Sequence, residues 1–201
     1  MKLSDKQIDA LTEVLNVGMG RGAGVLKTML QSHVSLQASP VRIQALDAYL
    51  DQLRGSGPDH LSAVQLGYQG AFSGKAQLLF STASASKLVT VLTREALDSD
   101  DFDLIQAGTL SEVGNIVING VLGTISGMLG QHFVYSVPTY LEEKAESLLC
   151  TPDRGKGYTV MLARTRFTLE GHQIEGDLLL LFEVGALDSL LEALGALMPH
   201  E

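Results

Sequence analysis

Thr109 to Gly130, TLSEVGNIVINGVLGTISGMLG, and Leu11 to Leu30, LTEVLNVGMGRGAGVLKTML, are two versions of one segment. Each carries Glu-x-x-Asn in a helical pattern, and laying one over the other pairs Glu13 with Glu112 and Asn16 with Asn115 at an offset of 99 residues. The echo continues outward. Pro40 follows the first segment and Pro138 the second, each leading into a strand-like run, and Gly74 to Phe80 (GKAQLLF) answers Gly176 to Phe182 (GDLLLLF). Self-similarity at a fixed period of about half the chain marks an internal duplication, with repeats of about 1–98 and 99–201.

The 201 residues, 45% hydrophobic, suffice for one sizeable core that the two repeats share, since each alone would bury a smaller fraction of its surface. One pseudo-symmetric domain is expected. Against 14 Lys+Arg stand 23 Asp+Glu, a net charge of −9, and no basic stripe interleaved with aromatics occurs, so nucleic acid is not the expected partner. The single cysteine, Cys150, rules out an internal disulfide and fits a reducing compartment, so a cytoplasmic location is expected. The start, MKLSDKQIDA, has no apolar h-region, and the most apolar run, Leu178 to Met198, is broken by Glu183, Asp188 and Glu192; neither a signal peptide nor a membrane span is expected.

Along the chain, Ser4 to Gln7 reads as a capping box that opens the first long helix. At about 100° per residue, Ile8, Leu11, Val14, Leu15, Leu26 and Met29 gather on one side and Asp9, Glu13, Asn16 and Gly20 on the other, so the acid and amide face outward. Gly18, Gly20, Gly22 and Gly24 each cost roughly 1 kcal/mol inside a helix relative to Ala, which close packing of a neighbouring element would offset. Val41 to Ile43 starts a strand, and Asp51 to Pro58 has the composition of an exposed loop. Leu61–Gly67 with Ala71–Phe80, and Tyr158–Thr168 with His172–Glu183, read as two hairpins; Ala85–Leu97 and Ala186–Leu197 read as short helices. Asp98 to Asp103 is an acidic linker between repeats that runs into the second long helix. There Val113, Val117, Val121, Thr124 and Met128 face one way, and Gly108, Glu112, Asn115 and Asn119 the other. The fold class is therefore α+β: an antiparallel sheet packed with two long helices plus shorter ones.

A single Glu-x-x-Asn is a weak motif, and a solvated helix face accounts for either copy alone. A merely solvated face has no reason to keep both residue types in both repeats while its neighbours, Asp9 against Gly108 and Gly20 against Asn119, diverge. The frame Asp/Ser-x-x-x-Glu-x-x-Asn, a spacer of just over twenty residues and then Pro, present twice, resembles the CheC family of chemotaxis phosphatases over nearly the whole chain. It reads Asp9, Glu13, Asn16 and Pro40 in the first repeat and Glu112, Asn115 and Pro138 in the second, and Asn16-Val-Gly-Met-Gly20 is similar to the family's Asn-Ile-Gly-Ala-Gly. The two-repeat layout is that of CheC rather than of the single-site relative CheX. Two departures stand out: Gly108 occupies the Asp/Ser position, and both spacers are one or two residues longer than usual.

The resemblance implies an aspartyl-phosphate phosphatase acting on a CheY-like response regulator, with Mg2+ carried by the regulator and no cofactor held by this chain. Asn16 and Asn115 would position the attacking water, a task suited to a carboxamide, which donates and accepts hydrogen bonds but is too weak a base to take the proton. Glu13 and Glu112 would grip the regulator's active-site lysine, and Asp9, Gly20 and Asn119, on the same strips, would touch the partner. Two other readings accompany it. One is a non-catalytic docking module of flagellar-switch type; the other, by family analogy, is a scaffold that partners the deamidase CheD.

Other candidate chemistry is weaker. Gly18 to Gly24 lacks Gly-x-Gly-x-x-Gly spacing, a preceding strand and Gly-Lys-Ser/Thr. His33, His60, His132, His172 and His200 are scattered, so a protein-held metal is not expected. Asp98 to Asp103 lacks the glycine and terminal glutamate of a calcium loop. Cys150 reads as a packing residue, and Ser126 lacks the first glycine of a nucleophile elbow.

Overall fold

The structure, a computed structural model, describes residues 3–56, 60–70, 72–94, 101–149, 158–183 and 185–197. The first repeat folds as α1 (Asp5–Leu30), β1 (Val34–Ala38), β2 (Arg42–Ala45), α2 (Leu46–Ser56), β3 (Leu61–Gln69), β4 (Gly74–Ser81) and α3 (Thr82–Thr93). The second gives the same order: α4 (Phe102–Leu129), β5 (Val134–Tyr135), β6 (Thr139–Glu143), α5 (Ala145–Leu148), β7 (Thr159–Leu169), β8 (His172–Phe182) and α6 (Ala186–Leu197). Among the described residues these eight strands form one antiparallel sheet in which the two halves of the chain interlock. β1 and β2 pair with β7 of the second repeat, β5 and β6 pair with β3 of the first, and β4 meets β8 in the middle.

Each face of the sheet carries its own core. One, built from residues such as Val64, Leu78, Phe80, Phe167, Leu178 and Phe182, takes the buried sides of α1, α3, α4 and α6. The other, with Leu61, Leu79, Leu162 and Leu179, takes α2 and α5 through Leu46, Tyr49, Leu50 and Leu148. By length and composition α4 could cross a membrane. Here its buried face, including Leu110, Val117, Val121 and Ile125, lies against α1 and the sheet.

The glycines of α1 divide by their surroundings. A Cβ at Gly18 would stand 2.5 Å from Val121 Cα, and one at Gly22 would stand 3.3 Å from Val117 Cα, whereas Gly20 and Gly24 have nothing within 4 Å. The two contacts make α1 and α4 antiparallel. They also exchange under the shift of 99 residues that carries Glu13 to Glu112.

Several expectations are corrected. Asp51 to Ser56 is the end of α2 rather than loop, with Arg54 paired to Asp51 and Glu146; Gly57 and Pro58 lie outside the described residues. Met29 is 55% exposed instead of in the core. Ala71, Glu95 to Leu97, Asp98 to Asp100, Cys150, the loop residues from 151 to 157, Met198 and His200 also lie outside the described residues. The capping box is present: Ser4 Oγ accepts from Gln7 N–H and Gln7 Oε1 accepts from Ser4 N–H.

On the α2 side, burial holds the Asp177 carboxyl above its ordinary range, and Arg164, whose Nε donates to it at 3.4 Å, pulls it partly back. A carboxyl raised on folding adds stability below its unfolded value, and that share is lost as pH rises through its folded value. Asp177→Asn should therefore raise the Tm at pH 7 to 8, with the gain fading as pH falls through the carboxylate range. The half-exposed Arg164 pair contributes too little to reverse the sign. Thermal melts of both chains across pH check this, and a gain that grew on acidification would contradict it.

Candidate active site

Both Glu-x-x-Asn motifs lie on the outer side of the α1/α4 pair. Glu13 and Glu112 are exposed, as are Asp9, Gly20 and Gly108; Asn16, Asn115 and Asn119 are half-buried. Because α1 and α4 run antiparallel with Gly18 over Val121, Asn115 lies alongside Gly24, so the two amides are separated along the helix axis by about 12 Å at ~1.5 Å per residue. The structure places them as two neighbouring strips rather than one joint cluster.

The amides are held differently. Asn16 turns toward β1, where its Oδ1 accepts from Ala38 N–H at 2.8 Å. A backbone donor fixes which end of the carboxamide is which, leaving one carbonyl lone pair and both amide hydrogens for a partner. The sequence places the amide on the outward strip of α1; in the structure Asn16 is half-buried there and tethered. One turn earlier Thr12 Oγ1 accepts from Val41 N–H at 3.1 Å and donates to Ile8 C=O at 2.7 Å, which pins the chain just after Pro40 to α1. Thr12 is not part of the sequence motif; its signal is position i−4 from Asn16, on the same helix face. Pro40, with no N–H of its own, sits between these two anchors.

In the second strip Asn115 Oδ1 accepts from Asn119 Nδ2 at 2.6 Å, within the helix. Asn119 Oδ1 is then buried with no donor among the described residues. An orphaned buried acceptor costs about 1–3 kcal/mol, so this tether is the less stable of the two. Neither strip gathers metal ligands: among the described residues no group of three or more His, Cys, Asp or Glu side chains could hold an ion. His33, His60, His132 and His172 are each exposed, and Ser126 is half-buried within α4.

No family model matches the chain. The CheY-P phosphatase CheC of Bacillus subtilis (strain 168) is 22% identical over 143 residues, which is 68% of this chain and, at 66%, just under two thirds of that protein. Thermotoga maritima FliY is structurally similar with a TM-score of 0.75 at 16% identity, covering 98% of this chain and 100% of that one. A chain of the CheX–CheY–BeF3–Mg2+ complex from Borrelia burgdorferi has a TM-score of 0.52 at 18% identity, covering 86% and 99%.

Proposed function

We propose that this chain, whose fold is of the CheC, CheX and FliY type, dephosphorylates the phospho-aspartate of a CheY-like response regulator. The observation that carries the reading is the Glu-x-x-Asn of α1, with Glu13 exposed and Asn16 locked by Ala38 N–H while, among the described residues, none accepts from its amide hydrogens. An acyl phosphate is labile, and its hydrolysis is helped chiefly by placing water in line and matching charge on the equatorial oxygens. A carboxamide whose roll is fixed by a backbone bond arrives with that orientation set before the partner docks. The regulator brings Mg2+ and the phosphoryl group. Glu13, three residues earlier on the same exposed strip, meets the regulator's active-site lysine. Such a charge-assisted contact contributes about 1.5–3 kcal/mol, enough to fix register but not to supply all the affinity.

The second strip repeats the arrangement through Glu112 and Asn115, and no cofactor held by this chain enters the scheme. A regulator labelled with acetyl phosphate in the presence of Mg2+, mixed with the purified chain, should lose its phosphate about tenfold faster or more, read as phosphate release. Binding of the phosphorylated regulator with no acceleration would instead assign a docking role, the reading that Gly108 on the second strip favours. No binding at all would remove both.

A further inference from the structure

The shift of 99 residues that superposes the motifs also carries Asp5 to Leu104, Lys6 to Ile105 and Asp9 to Gly108. Asp5, Asp9 and Glu13 stand one turn apart on α1, all exposed, and form an acidic stripe leading to the first amide. The same stripe on α4 is Leu104, Gly108 and Glu112, with Leu104 76% exposed; Asp101, three turns before Glu112, is the next acid on it. Beside this second stripe lies a groove of about 430 Å3, bounded by Leu26, Met29, Leu30, Leu92 and Ile105, with Glu112 the charged residue on its lining. The absence of a side chain at Gly108, which also lines the groove, leaves that wall bare. Met29 is thus an exposed apolar wall of a groove that also holds a carboxylate, and Leu104, about two turns before Glu112 on α4, is a second large apolar side chain in solvent.

We infer that the two strips hold the regulator by different physics: the first by charge, and the second by seating an apolar side chain of the receiver surface between Met29, Leu30 and Ile105. This rests on the phosphatase reading above. The occupant follows from the groove's own lining, since Glu112 joins it to Asn115 and calls for a cation beside the apolar anchor. A phosphorylated receiver presents that cation as its active-site lysine. An apolar contact is insensitive to salt, whereas attraction between exposed charges falls off as the Debye length shrinks from about 14 Å at 0.05 M to about 4 Å at 0.5 M.

The test uses a CheY-like regulator held in its active form by BeF3 and Mg2+, titrated at 0.05 and 0.5 M NaCl. It is added to the wild-type chain and to chains with one strip closed by Glu13→Lys or Glu112→Lys. With the second strip closed, the dissociation constant should rise about tenfold over this range; with the first closed, by about twofold or less. In the Glu13→Lys chain, Met29→Asp should weaken binding about tenfold. Leu104→Asp with Gly108→Asp, which writes the first stripe onto the second, should restore a steep salt dependence. Leu104 and Met29 are exposed, so these changes leave the core intact, and a Tm close to that of the parent chain checks it. Equal salt dependence at the two strips, or no effect of Met29→Asp, would overturn the inference while leaving the phosphatase reading in place. A wild-type chain that does not bind the regulator would overturn both.

Discussion

With Asn16→Ala and Asn115→Ala combined, regulator phosphate decays at the regulator's own rate, so the whole acceleration of about tenfold or more is lost if the amides position the attacking water. The single variants should differ. Asn16 is oriented by a backbone N–H, and Asn115 by a side chain whose own carbonyl is left unpaired, so Asn16→Ala should remove the larger share of activity. Alanine at 16 also strands the N–H of half-buried Ala38 and lowers stability by about 1–3 kcal/mol. Asn16→Asp separates these effects. A carboxylate still accepts from Ala38 N–H and keeps the shape, but it has no hydrogens to donate and sets a negative charge against the phosphoryl oxygens. Activity should be lost in both variants and the Tm lowered only by alanine. A double alanine chain that kept full activity would sink the mechanism, and an aspartate variant with normal activity would sink the donor role of the amide. Phosphate release and thermal melts on the same preparations decide between them.

What can be read from the chain is whatever repeats locally. Ser4 and Gln7 announce a helix start within four residues, and the alternation in Tyr158 to Thr168 and His172 to Glu183 announces β7 and β8. The α+β class follows from these. Val34 to Ala38 is not legible as a strand because five residues carry little periodicity and its partner, β7, comes more than a hundred residues later. Asp51 to Ser56 misleads for a different reason: Asp, Gln, Arg, Gly and Ser look like a loop, yet Tyr49 and Leu50 pull the segment onto the sheet and Arg54 ties it to Glu146. At the site, residue identities are legible and their restraint is not. The Ala38 bond to Asn16 spans 22 residues, and no local pattern encodes it. The apolar stripe is present in the offset of 99 residues, as Asp5 against Leu104, but its meaning needs the groove that α1 closes from the other side.

Gly18→Leu is the substitution expected to cost the fold most. A side chain at this position begins 2.5 Å from Val121 Cα and 2.9 Å from Gly120 O, so it meets backbone, which cannot rotate aside. The helices must separate, loosening Leu15 and Met19 on one side and Val117, Val121 and Ile125 on the other, all of them buried. A cost of about 3 kcal/mol or more follows, or a fall in Tm of roughly 6–12 °C for a chain of this size. Gly24→Ala should move the other way. Its Cβ meets nothing within 4 Å, and replacing glycine in a helix interior raises stability by up to about 1 kcal/mol. Opposite shifts in the two melts would separate the glycines that let α1 approach α4 from those that merely line its outer side. A Gly18→Leu chain as stable as the parent would mean that the helices do not pack at this distance. The two amides, set about 12 Å apart along the helix axis by that crossing, would then lose their common frame.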